Sequence, residues 1–358
     1  MTTIRTTTAG SLPRTPELIA ANAARTFAAD GLTLERTEEY DALVGAAVAG
    51  VVERQRSAGI TDPGDGEFGK AMSSAVDYGA WWSYSFQRVA GLALTDVDLF
   101  NAPRVLSEPG TVRLTSFLNR RDRQAFPGAY AESVERGKGA TPFPSTVGEL
   151  SYIGRDAVAA DVRHLTAALH NGETGFITSI APGSAVRVNN EFYPDHESYV
   201  AAWADAMAPE YRAIVEAGLT VQLDDPSLAE NWDQIEPQPS VADYQAFTRT
   251  SIEAINRATA GLPRELLRLH LCWGSWHGPH TTDIELKDIL PVVLEANVGS
   301  ISFEAANVRH EHEWKLWREI DLPEHLVLVP GVVSHATNVV EHPDLVAQRI
   351  ERFVDAVG

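Results

Sequence analysis

The chain has 358 residues, 44% of them hydrophobic, and its 29 Lys and Arg against 49 Asp and Glu give a formal net charge of −20. That length fits one large (β/α) barrel or two ordinary domains, and the charge argues against nonspecific binding to nucleic acid or an anionic membrane, which needs basic patches. A single cysteine excludes an intramolecular disulfide framework, and no stretch approaches the ~20 apolar residues of a membrane span, so a soluble cytoplasmic protein is expected.

In chain order, residues 6–11 read as a short strand running into the turn Gly10, Ser11, Leu12, Pro13, Arg14. Residues 37–59 carry helical spacing through Tyr40, Leu43, Val44, Ala47 and Val51. Residues 60–67 read as a second strand and loop that ends in Asp65, Gly66 and Glu67. From 70 to about 150 the pattern is irregular. Trp81, Trp82, Tyr84 and Phe86 there suggest a hydrophobic mini-core in an excursion over the mouth of a barrel.

Residues 156–171 read as a helix, and 175–181 as a strand before Pro182, Gly183 and Ser184. Pro194 and Asp195 open a long amphipathic helix at 196–217. Its apolar face holds Tyr199, Val200, Trp203, Met207, Tyr211, Ile214 and Val215. A strand at 219–225 ends in Asp224 and Asp225, and 241–259 is helical. Then follow a strand at 267–273, a helix around 286–296, strands at 301–304 and 326–333, and a last helix at 343–357. This alternation predicts an α/β fold with a largely parallel sheet. With no repeat or linker to divide it, 1–358 reads as a single domain.

Polar residues recur at the ends of these strands: Ser11, Glu67, Asp224, Asp225, His270, Cys272 and Glu304. In a (β/α)8 barrel that is where the active site lies. His270 and Cys272 stand two apart in an apolar run, so a strand projects both to one side. Glu304 ends the next apolar strand. A nitrogen, a sulfur and a carboxylate donor together suit Zn²⁺. The alternative is a buried histidine and a cysteine acting as a small hydrophobe.

Five motifs in order resemble the catalytic barrel of cobalamin-independent methionine synthase and its short, single-barrel relatives. They are Thr6 to Thr15 around Gly10-Ser11-Leu12-Pro13-Arg14, then Asp65-Gly66-Glu67, then Gln222 to Leu228, then His270-Leu271-Cys272, and Ser302-Phe303-Glu304. The resemblance implies a (β/α)8 TIM barrel of the methionine synthase and uroporphyrinogen decarboxylase-like type. It implies zinc ligands at His270, Cys272 and Glu304, and substrate-binding positions at Gly10, Ser11, Glu67 and Asp224.

The implied chemistry moves an alkyl group to a zinc-activated thiol. The acceptor is homocysteine or a coenzyme M-like thiol, and the donor a methyl-folate, a methyl-corrinoid or an epoxide. Epoxyalkane:coenzyme M transferase-like proteins belong to the short branch. A sulfonate-bearing thiol would need a cation, for which Arg14, Lys70 and Arg309 are candidates. Asp224 and Asp225 are candidate proton carriers, Asp225 alternatively a cap before Pro226. His335 is a candidate proton donor or substitute ligand.

The family pattern includes a second cysteine near the C-terminus that this sequence lacks. The expectation is that the last segment of the barrel lies beyond Gly358. His310-Glu311-His312-Glu313-Trp314 resembles a metal motif without the HExxH spacing, and a solvated helix start is expected there. A barrel that binds a metal or small molecule without catalysis is the alternative of another class. Whether the chain forms a homo-oligomer is left open.

Overall fold

The computed structural model describes residues 4–70, 79–97, 102–131, 143–274 and 276–358. Its strands are β1 Val89–Leu94, β2 Pro144–Tyr152, β3 Phe176–Ile180, β4 Asn189–Asn190, β5 Thr220–Asp224, β6 Leu267–Leu271, β7 Ser300–Glu304 and β8 Val327–Gly331. Its longer helices are α1 Pro16–Ala23, α2 Glu38–Ser57, α3 Arg155–Ala168, α4 His196–Glu216, α5 Val241–Ala258, α6 Leu286–Val293 and α7 Pro343–Val357. They fall into two compact units. One comprises Met1–Thr95, Pro144–Asp224 and Ala254–Arg268, and the other Asp96–Phe143, Asp225–Glu253 and Leu269–Gly358.

The first unit is organised around parallel pairing. β3 runs parallel to β5, with Phe176 opposite Thr220 and Ile180 opposite Asp224. All five β3 residues are buried, as a parallel strand covered on both faces requires. The stretches 6–11 and 60–67 contribute only single parallel bridges, Thr7 to Asp62 and Gly64 to Phe176, in place of the expected strands. The reasons are local: Pro63 has no N–H to extend a ladder, and Gly10, at φ +141°, leaves the range that side-chain-bearing residues use in a strand.

Two helices of this unit start where their caps dictate. Thr37 accepts the Tyr40 N–H at the start of α2, and Asp195 accepts the Ser198 N–H at the start of α4. α2 buries Tyr40, Val44, Val48, Val51 and Val52 on one stripe and packs on α3. α4 buries Tyr199, Val200, Trp203, Met207, Tyr211 and Ile214. The part of the excursion within this unit pairs β1 antiparallel to β2, and β2 parallel to β4. Trp82, Tyr84 and Phe86 are buried, Trp82 and Phe86 meeting edge to face at 5.2 Å. They form a mini-core, from which the expected Trp81 departs by being only partly buried.

In the second unit β7 runs parallel to β8, from Ser300 opposite Val327 to Glu304 opposite Gly331. Phe303 of β7 packs on Trp317 at 4.9 Å and on Phe353 of α7 at 5.8 Å. β6 begins in the first unit and ends in the second. Among the described residues, no helix is long and apolar enough to cross a membrane.

Candidate active site

In the first unit the carboxylate of Glu67 is the centre of a buried polar cluster. Asp65-Gly66-Glu67 turns sharply, and Glu67 itself has φ +63°, a left-handed conformation that a glutamate rarely adopts. The turn delivers the side chain to donors far off in sequence. Ser11 Oγ donates to Oε2 at 2.5 Å, Thr178 Oγ1 to Oε1 at 2.7 Å, and Lys70 Nζ lies 3.5 Å from Oε1. Lys70 also donates to Thr178 at 2.6 Å and sits 4.4 Å over the Tyr84 ring. Arg14 donates from Nη2 to the Glu67 carbonyl at 3.2 Å. Gly10 is obligatory: a Cβ there would lie 2.9 Å from both Glu67 Oε1 and Thr178 Cγ2.

Burial alone would raise the Glu67 carboxyl, but the Lys70 ammonium and the Ser11 and Thr178 hydroxyls outweigh it and hold it below the usual range. Asp224, at the end of β5, behaves oppositely. Burial, with the Glu67 charge adding to it, pushes it up to about 7 against the opposing pull of Lys70. Its Oδ1 accepts from Gln222 Nε2 at 2.9 Å, and Arg268 donates to Gln222 Oε1 at 3.2 Å. Gln222 Nε2 also donates to the Ala9 carbonyl at 2.7 Å, which ties the Gly10 segment to β5. One carboxylate ionised and another poised near neutrality is a pairing that acid–base chemistry uses.

In the second unit the ends of β6 and β7 lie together. Trp273 N–H, one residue past Cys272, donates to Glu304 Oε1 at 3.1 Å. Asn307 donates to Glu304 Oε2, and His335 Nδ1 lies 4.0 Å from that same oxygen. His270 Nδ1 is 3.2 Å from Ser302 Oγ, and Cys272 Sγ accepts the Gly274 N–H at 3.1 Å. Asp225 N–H donates to the His270 carbonyl at 3.0 Å while its carboxylate accepts from Ser227, so it closes the turn into Pro226. Arg309 donates to the Thr281 carbonyl at 3.1 Å. Among the described residues, no three His, Cys, Asp or Glu side chains converge closely enough to hold a metal ion. Glu304 and His335 do approach each other, and the donor types fit zinc.

The expected solvated helix start at 310–314 holds at Glu311, where a helical turn begins, and at exposed His312, but fails at His310. His310 is buried, with Nε2 3.0 Å from Asp283 and Nδ1 2.9 Å from Glu313, and its ring stacks on Trp273 at 4.1 Å. Burial opposes its charge, but the two carboxylates prevail and raise it to about 9. Asp283 also holds His280 Nδ1 at 3.0 Å. The polar run looks exposed in sequence because its partners lie on a separate loop.

The fold has solved counterparts. A B12-independent methionine synthase from Shewanella sp. W3-18-1, in complex with selenomethionine, matches with a TM-score of 0.66 and 17% identity, over 99% of this chain and 88% of that one. A putative vitamin-B12 independent methionine synthase from Listeria monocytogenes matches with a TM-score of 0.60 and 16% identity, over 99% and 89%. The chain has the fold of the B12-independent methionine synthases. A methionine synthase from Pyrococcus abyssi is 32% identical over 89 residues, which span 25% of this chain and 22% of that relative. No family model matches the chain. These matches support the family resemblance that the motifs carry, and with it an α/β fold whose parallel strands end in the candidate residues.

On this methionine synthase fold, the partners that the sequence reading missed are Thr178, Gln222, Arg268, Ser302 and Asn307. For two of them a signal existed. Gln222 and Ser302 each stand two residues before a strand-end carboxylate, so strand alternation places them on its face. Thr178 had none, because its link to Glu67 depends on which strands are neighbours.

Proposed function

We propose that the chain is a zinc-dependent thiol alkyltransferase, with residues 1–358 acting as one catalytic domain. The leading reaction is the cobalamin-independent methylation of homocysteine from a methyl-folate donor. The observation that carries this reading is the hydrogen bond from the Trp273 N–H to Glu304, which sets a carboxylate beside the residue after Cys272. His270, Cys272 and Glu304 would hold the metal. Bound zinc supplies a Lewis acid that keeps the acceptor thiol ionised at neutral pH.

The protein's own groups then divide the remaining work. Ionised Glu67 pairs with the substrate ammonium, its charge held in place by the Ser11 and Thr178 hydroxyls. Asp224, near its midpoint at neutral pH, holds or releases a proton for the leaving group. His335, close to Glu304, is a second proton carrier or substitute ligand.

A second reading keeps the zinc thiolate but opens an epoxide with a coenzyme M-like thiol. It is favoured by the burial of Arg14, a cation that a sulfonate would need and that has two nitrogens without a partner. Metal analysis and X-ray absorption at the zinc edge, with homocysteine or with coenzyme M, test both readings. Near-stoichiometric zinc that gains a sulfur ligand from one thiol supports the reading and names the acceptor. A folded protein that takes up no zinc overturns it in favour of a non-catalytic barrel.

A further inference from the structure

Arg14 is 4% exposed, yet neither its Nε nor its Nη1 has a hydrogen-bond partner. Among the described residues it is the one arginine with two buried nitrogens left so. Its single recorded bond runs from Nη2 to the Glu67 carbonyl, a neutral acceptor. Buried polar groups are nearly always satisfied, and a buried cation without an anion is costlier still. A guanidinium presents donors in a rigid fork that matches planar or tetrahedral oxyanions.

The local charge points the same way. Although the chain carries a net −20, Arg14 and Lys70 here face Glu67, held ionised, beside Asp65 and Asp224, which burial pushes up to about 7. Glu67 is already engaged by Ser11, Thr178 and Lys70. Lys70 is engaged by Thr178 and Glu67, and Arg268 donates to Gln222 with only its Nε left buried without a partner. Arg14 therefore has binding capacity to spare. It lies on the segment Gly10–Arg14, whose Ser11 is exposed.

We propose that Arg14 is the anion subsite of the substrate pocket, selecting a thiol whose far end carries a carboxylate or a sulfonate. The inference rests on the thiol-transfer reading for the thiol, but the subsite itself rests on Arg14 alone. The carboxylate or sulfonate accepts hydrogen bonds from Nε or Nη1, while Glu67 takes any ammonium on the same molecule. An amino-acid thiol satisfies both groups, and a sulfonate thiol satisfies Arg14 alone.

The test is calorimetric binding to the zinc-loaded protein and to its Arg14→Gln and Arg14→Lys variants. The probes are L-homocysteine, 2-mercaptoethanesulfonate and the neutral 2-mercaptoethanol, with thiol-free 2-aminobutyrate and ethanesulfonate as controls. The expected result is that Arg14→Gln weakens the preferred anionic thiol roughly 10- to 100-fold, the range for a hydrogen bond to a charged group, and leaves 2-mercaptoethanol unchanged. Arg14→Lys should recover part of the loss. Preference between the amino-acid and sulfonate probes names the source of the anion. An unchanged ratio of anionic to neutral binding in Arg14→Gln overturns the proposal. If that variant does not fold, a wild-type protein that binds anionic and neutral probes equally overturns it as well. Anion-dependent binding of the thiol-free probes without any thiol transfer would sustain the subsite while removing the transferase reading.

Discussion

The Trp273 N–H donates to the Glu304 carboxylate at 3.1 Å, joining the residue after Cys272 to the last residue of β7. A backbone donor fixes one carboxylate oxygen, and the Asn307 amide holds the other. In the proposed zinc site such outer partners would orient Glu304 before a metal arrives. The consequence is that Cys272 and Glu304 should fail together. Cys272→Ser and Glu304→Gln are each expected to abolish zinc retention and alkyl transfer, with circular dichroism and melting temperature nearly unchanged. Full activity in either variant would remove the metal assignment.

Gly10→Ala tests the Glu67 cluster without touching a charge. The added methyl meets Glu67 and Thr178 at 2.9 Å, and φ +141° is strained for any side chain. Glu67 must shift, so KM for an ammonium-bearing thiol is expected to rise at least 10-fold. Stability should fall by roughly 1–3 kcal/mol. A wild-type KM would show that Glu67 does not read the substrate.

Asp224 carries a pH signature. Its folded pKa of about 7 lies above the unfolded value, so the fold binds the extra proton. The acid is neutral in both states below about pH 4. Between there and about pH 7 stability falls, and above that the whole loss is present. Asp224→Asn removes a buried charge. It should raise stability at pH 8 by an amount on the order of 2–4 kcal/mol and change little at pH 4. It should also delete the limb near pH 7 from the rate profile. Denaturant melts across that range check the first part, and the same stability slope in the variant would reject it.

His310 works in the opposite direction. Asp283 and Glu313 raise it to about 9, so its stabilisation is complete below about pH 6.5 and is lost as pH rises through 9. His310→Gln should therefore be less stable than wild type by about 2–3 kcal/mol more at pH 6 than at pH 10. An equal deficit at both pH values would mean that packing on Trp273, not charge, is what the residue contributes.

The sequence by itself determined the elements with strong local signals. The last helix, Pro343–Val357, falls where its apolar spacing and leading proline place it, and the long helix that Asp195 caps begins at His196 as read. Strand ends marked by Asp224 and Glu304 are equally legible, because a short apolar run ending in a charge has few other foldings. Local signals failed where the backbone breaks its own pattern, as at Gly10 and Pro63, which reduce two expected strands to single bridges.

Only the tertiary structure decided what the polar residues do. Thr178 lies 111 positions from Glu67 and Asp283 lies 27 from His310, so no periodicity could pair them. Burial, which no single position records, sets Asp224 near neutrality and hides His310. It also leaves Arg14 with donors unspent. Side-chain periodicity is a property of neighbours along the chain. Charge state depends on neighbours in space and on the water they exclude.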